Sequence, residues 1–164
     1  MPFDHSKSAT HRLARAAKAH RARAGAHLSA IKLYPGQESV LKALADGDGK
    51  TMSALAAELG VQPPTVTKMV TRLAANGFVL RQTSEVDGRL ARVSLTETGR
   101  ALIGDIDKMW KRVEKEALAG FDEKDRKRIR KLLKKIEKNL LSAHGVETPD
   151  EIDDDTLDIE EAAE

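Results

Sequence analysis

Pro64, Thr65, Thr67, Lys68, Thr71 and Arg72 lie within one short stretch and bear hydroxyls, methyls, an ammonium and a guanidinium. If the stretch is helical and Val66 marks 0°, steps of about 100° put Met69, Val70 and Leu73 within about 60° of it. The six others fall in the arc from about 100° to 260°, and no carboxylate interrupts them. Groups of this kind contact phosphates, base edges and thymine methyls. A second cation, Arg89, follows Asp87-Gly88. An arginine at a hairpin tip can enter a narrow minor groove beside a major groove that holds a helix. An ordinary solvated helix face has a similar composition, so the surrounding elements decide the reading.

Other chemistries lack residues to carry them. Asp46-Gly47-Asp48-Gly49-Lys50-Thr51 fits neither a calcium loop nor a phosphate loop. A calcium frame starting at Asp46 puts Thr51 where the glycine belongs and Ala57 where the bidentate carboxylate belongs. A phosphate loop would need glycine at Leu44, so the run reads as a plain turn. His5, His11, His20, His27 and His144 include no pair four residues apart, the spacing of two metal ligands on one helix. No serine sits in a nucleophile elbow and no dinucleotide fingerprint occurs, which argues against an enzyme. Trp110 falls on an apolar stripe, where core packing is the commoner role. No cofactor or metal site is expected.

The chain of 164 residues has 28 Lys+Arg against 26 Asp+Glu, a net charge of +2. That near-neutrality hides a segregation. Residues 145–164 contain ten acidic residues and no basic one, so residues 1–144 hold 28 basic against 16 acidic, a balance of +12. A body so charged attracts polyanions, because each neutralised phosphate releases counterions. The absence of cysteine excludes a disulfide scaffold, a thiol nucleophile and a cysteine redox switch. No apolar run approaches the ~20 residues of a membrane span. The first residues lack the apolar core of a signal peptide, which makes the cytoplasm the expected location.

The elements that would position the polar face can be read from periodicity and punctuation. An Ala-rich helix from Ser6 to about Ser29 has a small apolar face of Leu13, Ala17, His20, Ala24, Leu28 and Ile31. Leu33-Tyr34-Pro35-Gly36 breaks it, and a helix from Gln37 to Ala45 follows. Thr51 or Ser53 can cap a third helix that Gly60 stops. Pro63-Pro64 suits the first turn of a fourth, running to Asn76 and ended by Gly77, so the two make a helix-turn-helix. Residues 78–83 and 91–95 read as strands of a hairpin with Asp87-Gly88 at its tip. Thr96 caps a long helix to about Gly120, and a last helix runs from about Glu123 to Ala143 with Ile129, Leu132, Leu133, Ile136 and Leu140 on one stripe. Residues 145–164, rich in acid and poor in large apolar side chains, read as a solvated, disordered tail. Its alternative role is an electrostatic brake that competes with DNA for the basic surface.

The runs Leu55-Ala56-Ala57-Glu58-Leu59-Gly60-Val61, Thr65-Val66-Thr67-Lys68-Met69-Val70-Thr71-Arg72-Leu73 and Asn76-Gly77-Phe78-Val79 resemble the MarR family of bacterial transcriptional regulators. So does Asp87-Gly88-Arg89 followed by Val93-Ser94-Leu95-Thr96-Glu97-Thr98-Gly99. The resemblance spans roughly residues 6–143. It implies a mainly α fold with a small β-hairpin wing: a winged helix-turn-helix DNA-binding domain at 35–96, and helical dimerisation regions at 6–34 and 97–143. The acidic 145–164 is outside the family pattern. The family commonly has Asp-x-Arg-Arg or Asp-Arg-Arg in the wing, where this chain has Asp87-Gly88-Arg89 with a more flexible tip at Gly88, and Gln62 stands where a Ser or Asp cap is frequent.

The function implied is that of a dimeric regulator, expected to be a repressor, with recognition helices in successive major grooves of a pseudo-palindromic double-stranded DNA operator. Half-sites would lie about 34–36 Å apart. Pro64, Thr65, Thr67, Lys68, Thr71 and Arg72 would meet DNA, Arg89 would enter the minor groove, and Asp87 would orient it. The resemblance also implies a small aromatic or anionic effector in a cleft bordered by His20, His27, Tyr34, Met109 and Trp110. A winged helix serving as a protein-interaction module without specific DNA binding is the alternative.

Overall fold

A computed structural model describes residues 3–47, 49–83 and 91–143. Its first helix starts later than periodicity alone suggests. The Ser8 hydroxyl accepts a hydrogen bond from the His11 amide at 3.1 Å, so α1 spans Ala9–Ala30 and His5–Lys7 forms a separate 3-10 turn. After α1, Lys32 adopts a φ of 60° and Gly36 one of 91°, the left-handed conformations that redirect the chain into α2, Gln37–Ala45. The next segment contains a strand where only a loop was expected. Lys50–Thr51 forms β1, too short to show an alternation in sequence and held by its partner strand. Thr51, not Ser53, caps α3 (Met52–Glu58), accepting from the Ala54 amide at 3.2 Å.

The helix α4, Pro63–Ala75, leads through Gly77 (φ 74°) into β2, Val79–Thr83. The strand β3, Ala91–Leu95, lies between the other two in an antiparallel sheet of order β1-β3-β2. Lys50 faces Val93 on one side of β3, and Arg81 faces it on the other. The Arg92 guanidinium donates to the Gly49 carbonyl at 2.7 Å, fastening the loop before β1 to the central strand.

The entry to α5, Glu97–Ala117, explains the Thr96-Glu97-Thr98-Gly99 run. The Thr96 hydroxyl accepts from the Gly99 amide at 2.9 Å and donates to the Gly77 carbonyl at 2.7 Å. It therefore caps one helix and ties it to the turn after another. A Cβ at Gly99 would collide with the Phe78 carbonyl oxygen, so only glycine permits this close approach. The helix stops at Ala117, a turn short of Gly120. α6 covers Glu123–Ser142, capped by the Asp122 carboxylate.

The chain divides into two compact units, Met1–Ala117 and Leu118–Glu164. The buried core belongs to the first and includes Leu28, Leu41, Leu55, Val66, Leu73 and Ile106. In the second unit, α6 buries no residue, and Leu132, Leu133 and Leu140 are 51%, 45% and 56% exposed. Among the described residues, no helix is long and apolar enough to cross a membrane.

Candidate nucleic-acid interface and adjoining cavity

α3 and α4 are joined by a tight turn. Gly60 takes a φ of 62°, and the Val61 amide closes the end of α3 on the Ala56 carbonyl at 3.1 Å. Pro63 and Pro64 then open α4; Gln62 occupies its N-cap without a side-chain hydrogen bond. Val66, Val70 and Leu73 are buried, whereas Pro64, Thr65, Thr67, Lys68, Thr71 and Arg72 are all exposed. The structure thus brings these six sequence-selected residues together on one face of α4. Met69, expected inside, is half-buried, because its thioether lies at the edge of the core against Gly36.

Hydrogen bonds refine what this face can offer. The Thr67 hydroxyl donates to the Pro63 carbonyl at 3.0 Å, and that of Thr71 to the Thr67 carbonyl at 2.8 Å. Both protons are engaged along the helix, which leaves the oxygens as acceptors and the methyls as apolar contacts. Donation from the face then falls to Lys68 and Arg72, the groups suited to phosphates and guanine edges.

Arg72 is not a loose surface side chain. Its guanidinium lies 5.7 Å from the centroid of the Tyr34 ring, a cation–π geometry. Tyr34, selected in the sequence as a cleft residue, is 61% exposed beside α4. Its loop is fixed locally: the Tyr34 amide donates to the Gln37 Oε1 at 2.9 Å. Nothing in the sequence spacing pairs residue 34 with residue 72.

Asp87 and Arg89, the expected wing residues, lie outside the described residues, as does Asp48 of the Asp-Gly run. Within the rest of that run, the Lys50 ammonium pairs with both carboxylate oxygens of Glu58, at 2.9 and 2.7 Å.

A cavity of about 420 Å³ opens between α1 and α5, lined by Ala16, Ala19, His20, Arg23, Val113, Glu116 and Ala117. Of the expected cleft residues, His20 lines it directly, and Trp110 stacks on His20 with centroids 5.8 Å apart and planes at 13°. His27 is one contact away, its Nε2 lying 3.1 Å from a Glu116 oxygen. Met109 is buried in the core instead. Arg23 and Glu116 are the members that the sequence reading missed. The Arg23 guanidinium is bidentate on Glu116, with Nη2 at 2.9 Å, and Arg112 adds a second guanidinium at 3.3 Å. Arg23, and after it His27, hold the Glu116 carboxyl well below the usual carboxylate range. A patch with small apolar walls, two stacked rings and an arginine suits a flat anion.

An exposed cationic helix after a tight turn, followed by a strand pair and a capped long helix, defines a winged helix-turn-helix fold. Residues 33–90 match the model of the MarR family. Among solved structures it resembles Bordetella bronchiseptica BpsR at 26% identity and a TM-score of 0.73, over 84% of this chain and 98% of that one. The DNA binding of that protein is regulated by 6-hydroxynicotinic acid. A MarR transcriptional regulator from Methanosarcina mazei Go1 is 25% identical, with a TM-score of 0.69 over 82% of this chain and 96% of that one. A probable transcriptional regulator from Pseudomonas aeruginosa shares the fold, at 23% identity and a TM-score of 0.71 over 80% and 98% of the two chains.

Proposed function

We propose that the protein is a homodimeric repressor that reads a pseudo-palindromic duplex through α4 and the β2–β3 wing and is released by a small aromatic anion. The observation that carries this reading is the exposed, acid-free Thr/Lys/Arg face of α4, backed by buried Val66, Val70 and Leu73. Lys68 and Arg72 supply phosphate and base-edge donors, and Thr67 and Thr71 supply acceptors and methyls. Arg89 contacts the flanking minor groove, oriented by Asp87. The unburied apolar residues of α6 and the small-residue face at the start of α1 provide surface for a second copy. Residues 35–96 act as the DNA-binding domain, and 6–34 with 97–143 as the dimerisation region.

An anion in the α1–α5 cavity competes with Glu116 for Arg23, and His20 with Trp110 accepts its ring. Release requires that the ligand favour a form of the dimer that fits DNA poorly. The similarity to BpsR supports an aromatic carboxylate as the first probe.

Duplex binding measured by fluorescence anisotropy across a salt series tests the proposal. Affinity is expected to fall steeply as salt rises. Arg72→Ala and Arg89→Ala should each lose ~1–3 kcal/mol, the latter most at A·T-rich flanks. Absence of duplex binding even at low salt would instead favour a protein-interaction module.

A further inference from the structure

Around α6 the charges are sorted as sharply as the apolar residues. With Glu123 at 0° and steps of about 100°, Ile129, Leu132, Leu133, Ile136 and Leu140 occupy the arc from about 180° to 280°. Lys124, Lys127, Arg128, Arg130, Lys131, Lys134, Lys135 and Lys138 occupy the arc from about 340° through 0° to 140°. All eight are exposed. Glu123, at the first position of the helix, is the one acidic residue on that arc, since Asp125 and Glu137 fall outside it. Eight cations along four to five helical turns repel one another and raise the potential of the face, which invites a polyanion.

We propose that residues 145–164 of this same chain lie along the cationic face of α6 and screen it from other polyanions. The segment is complementary in charge, with ten carboxylates and no cation, and it begins three residues after α6 ends at Ser142. Twenty residues of extended chain reach ~66 Å, whereas a helix the length of α6 is ~30 Å long, so every cation on the face is within range. A short tether holds a segment at an effective concentration in the mM range, well above that of a free polyanion at μM concentration. This proximity favours the segment over nucleic acid as the occupant. The association is ionic and needs no fixed register, and the apolar arc of α6 remains available for a protein partner. The proposal deepens the DNA-binding reading, because screening lowers the non-specific attraction of the body for DNA and leaves the α4 face to discriminate.

Zero-length carbodiimide cross-linking of the full chain, read by peptide mass spectrometry, tests the contact without any nucleic acid. Bonds from carboxylates of 145–164 to Lys124, Lys127, Lys131, Lys134, Lys135 and Lys138 should dominate at low salt and vanish near 1 M, where the Debye length is ~3 Å. In a mixture of isotopically light and heavy chains they should be light–light and heavy–heavy. Links chiefly to Lys18 or Lys68, or chiefly between light and heavy chains, overturn it. Truncation after His144 should then tighten binding to a random-sequence duplex about tenfold or more at low salt and steepen its salt dependence. Lys127→Gln, Lys131→Gln and Lys135→Gln together should cancel that gain. Unchanged binding on truncation refutes the screening. Weakening by the glutamine variants to the same extent in full and truncated chains marks the face as a nucleic-acid surface instead. If neither form binds duplex, the DNA reading fails on its own, and the cross-links still decide the contact.

Discussion

α4 and α6 have the same helical apolar period but opposite fates. In α4, Val66, Val70 and Leu73 are sealed into the core of Met1–Ala117, and the polar face is exposed. In α6, the five apolar residues of the stripe are at most partly covered and none is buried. Amphipathic patterning therefore specifies that a face needs covering, not which surface covers it. For α4 the cover is supplied within the chain, which suits a helix that must hold its outward side chains in register. For α6, which lies in the other compact unit, Leu132, Leu133 and Leu140 remain exposed.

The contrast is broken most directly by truncating one leucine on each helix. Leu73→Ala should destabilise the fold by ~2–5 kcal/mol in urea unfolding, because a fully buried side chain leaves a cavity. Leu133→Ala at the same protein concentration should change the intrinsic stability of Met1–Ala117 little, and should instead raise the concentration at which dimers dissociate in sedimentation. Equal losses in the two variants would remove the distinction.

Close packing around the winged core is probed by Gly99→Ala. Its new methyl would strike the Phe78 carbonyl, with a loss of ~1–3 kcal/mol expected in the same unfolding experiment. Gly104, on the same helix but with open space at its Cβ position, should tolerate alanine or gain slightly.

A smaller effect is expected where Tyr34 braces Arg72. Tyr34→Ala should weaken duplex binding by ~0.5–1 kcal/mol while Tyr34→Phe retains most of it, since the ring face rather than the hydroxyl meets the guanidinium. An equal loss in both variants would point to the hydroxyl instead.

The most modest shift concerns Glu116. Its carboxyl titrates below the ordinary value in the fold, so its contribution to stability is present above the ordinary carboxylate pKa and is lost as pH falls toward the depressed native value. Melting temperatures of the protein and of Glu116→Gln should therefore differ at pH 6 and converge as the medium becomes strongly acidic. A constant difference at all pH values would mean that the carboxylate charge is not what Arg23 and His27 recognise.

Much of the architecture is legible because it is local. The breaks at Pro35-Gly36, Gly60 and Gly77, the Thr96 cap and the apolar repeats each act within a turn or two of the chain, and the helices follow them. β1 is the counterexample. Two residues show no alternation, and Lys50–Thr51 becomes a strand only because β3 presents an edge to it. The candidate site divides along the same line. The α4 face could be drawn as a wheel, whereas Tyr34 with Arg72 and Arg23 with Glu116 join residues 38 and 93 positions apart.

The sequence by itself determined the helical periods, the turn and cap positions, the acid-free face of α4 and the separation of a +12 body from a −10 segment. Each depends on neighbours along the chain, where spacing translates directly into geometry. Tertiary structure alone decided which apolar stripe is buried, that the Tyr34 ring lies against Arg72, and that Glu116 gathers Arg23, His27 and Arg112. Those outcomes depend on how whole elements pack, and packing brings together side chains whose sequence separation contains no trace of their meeting.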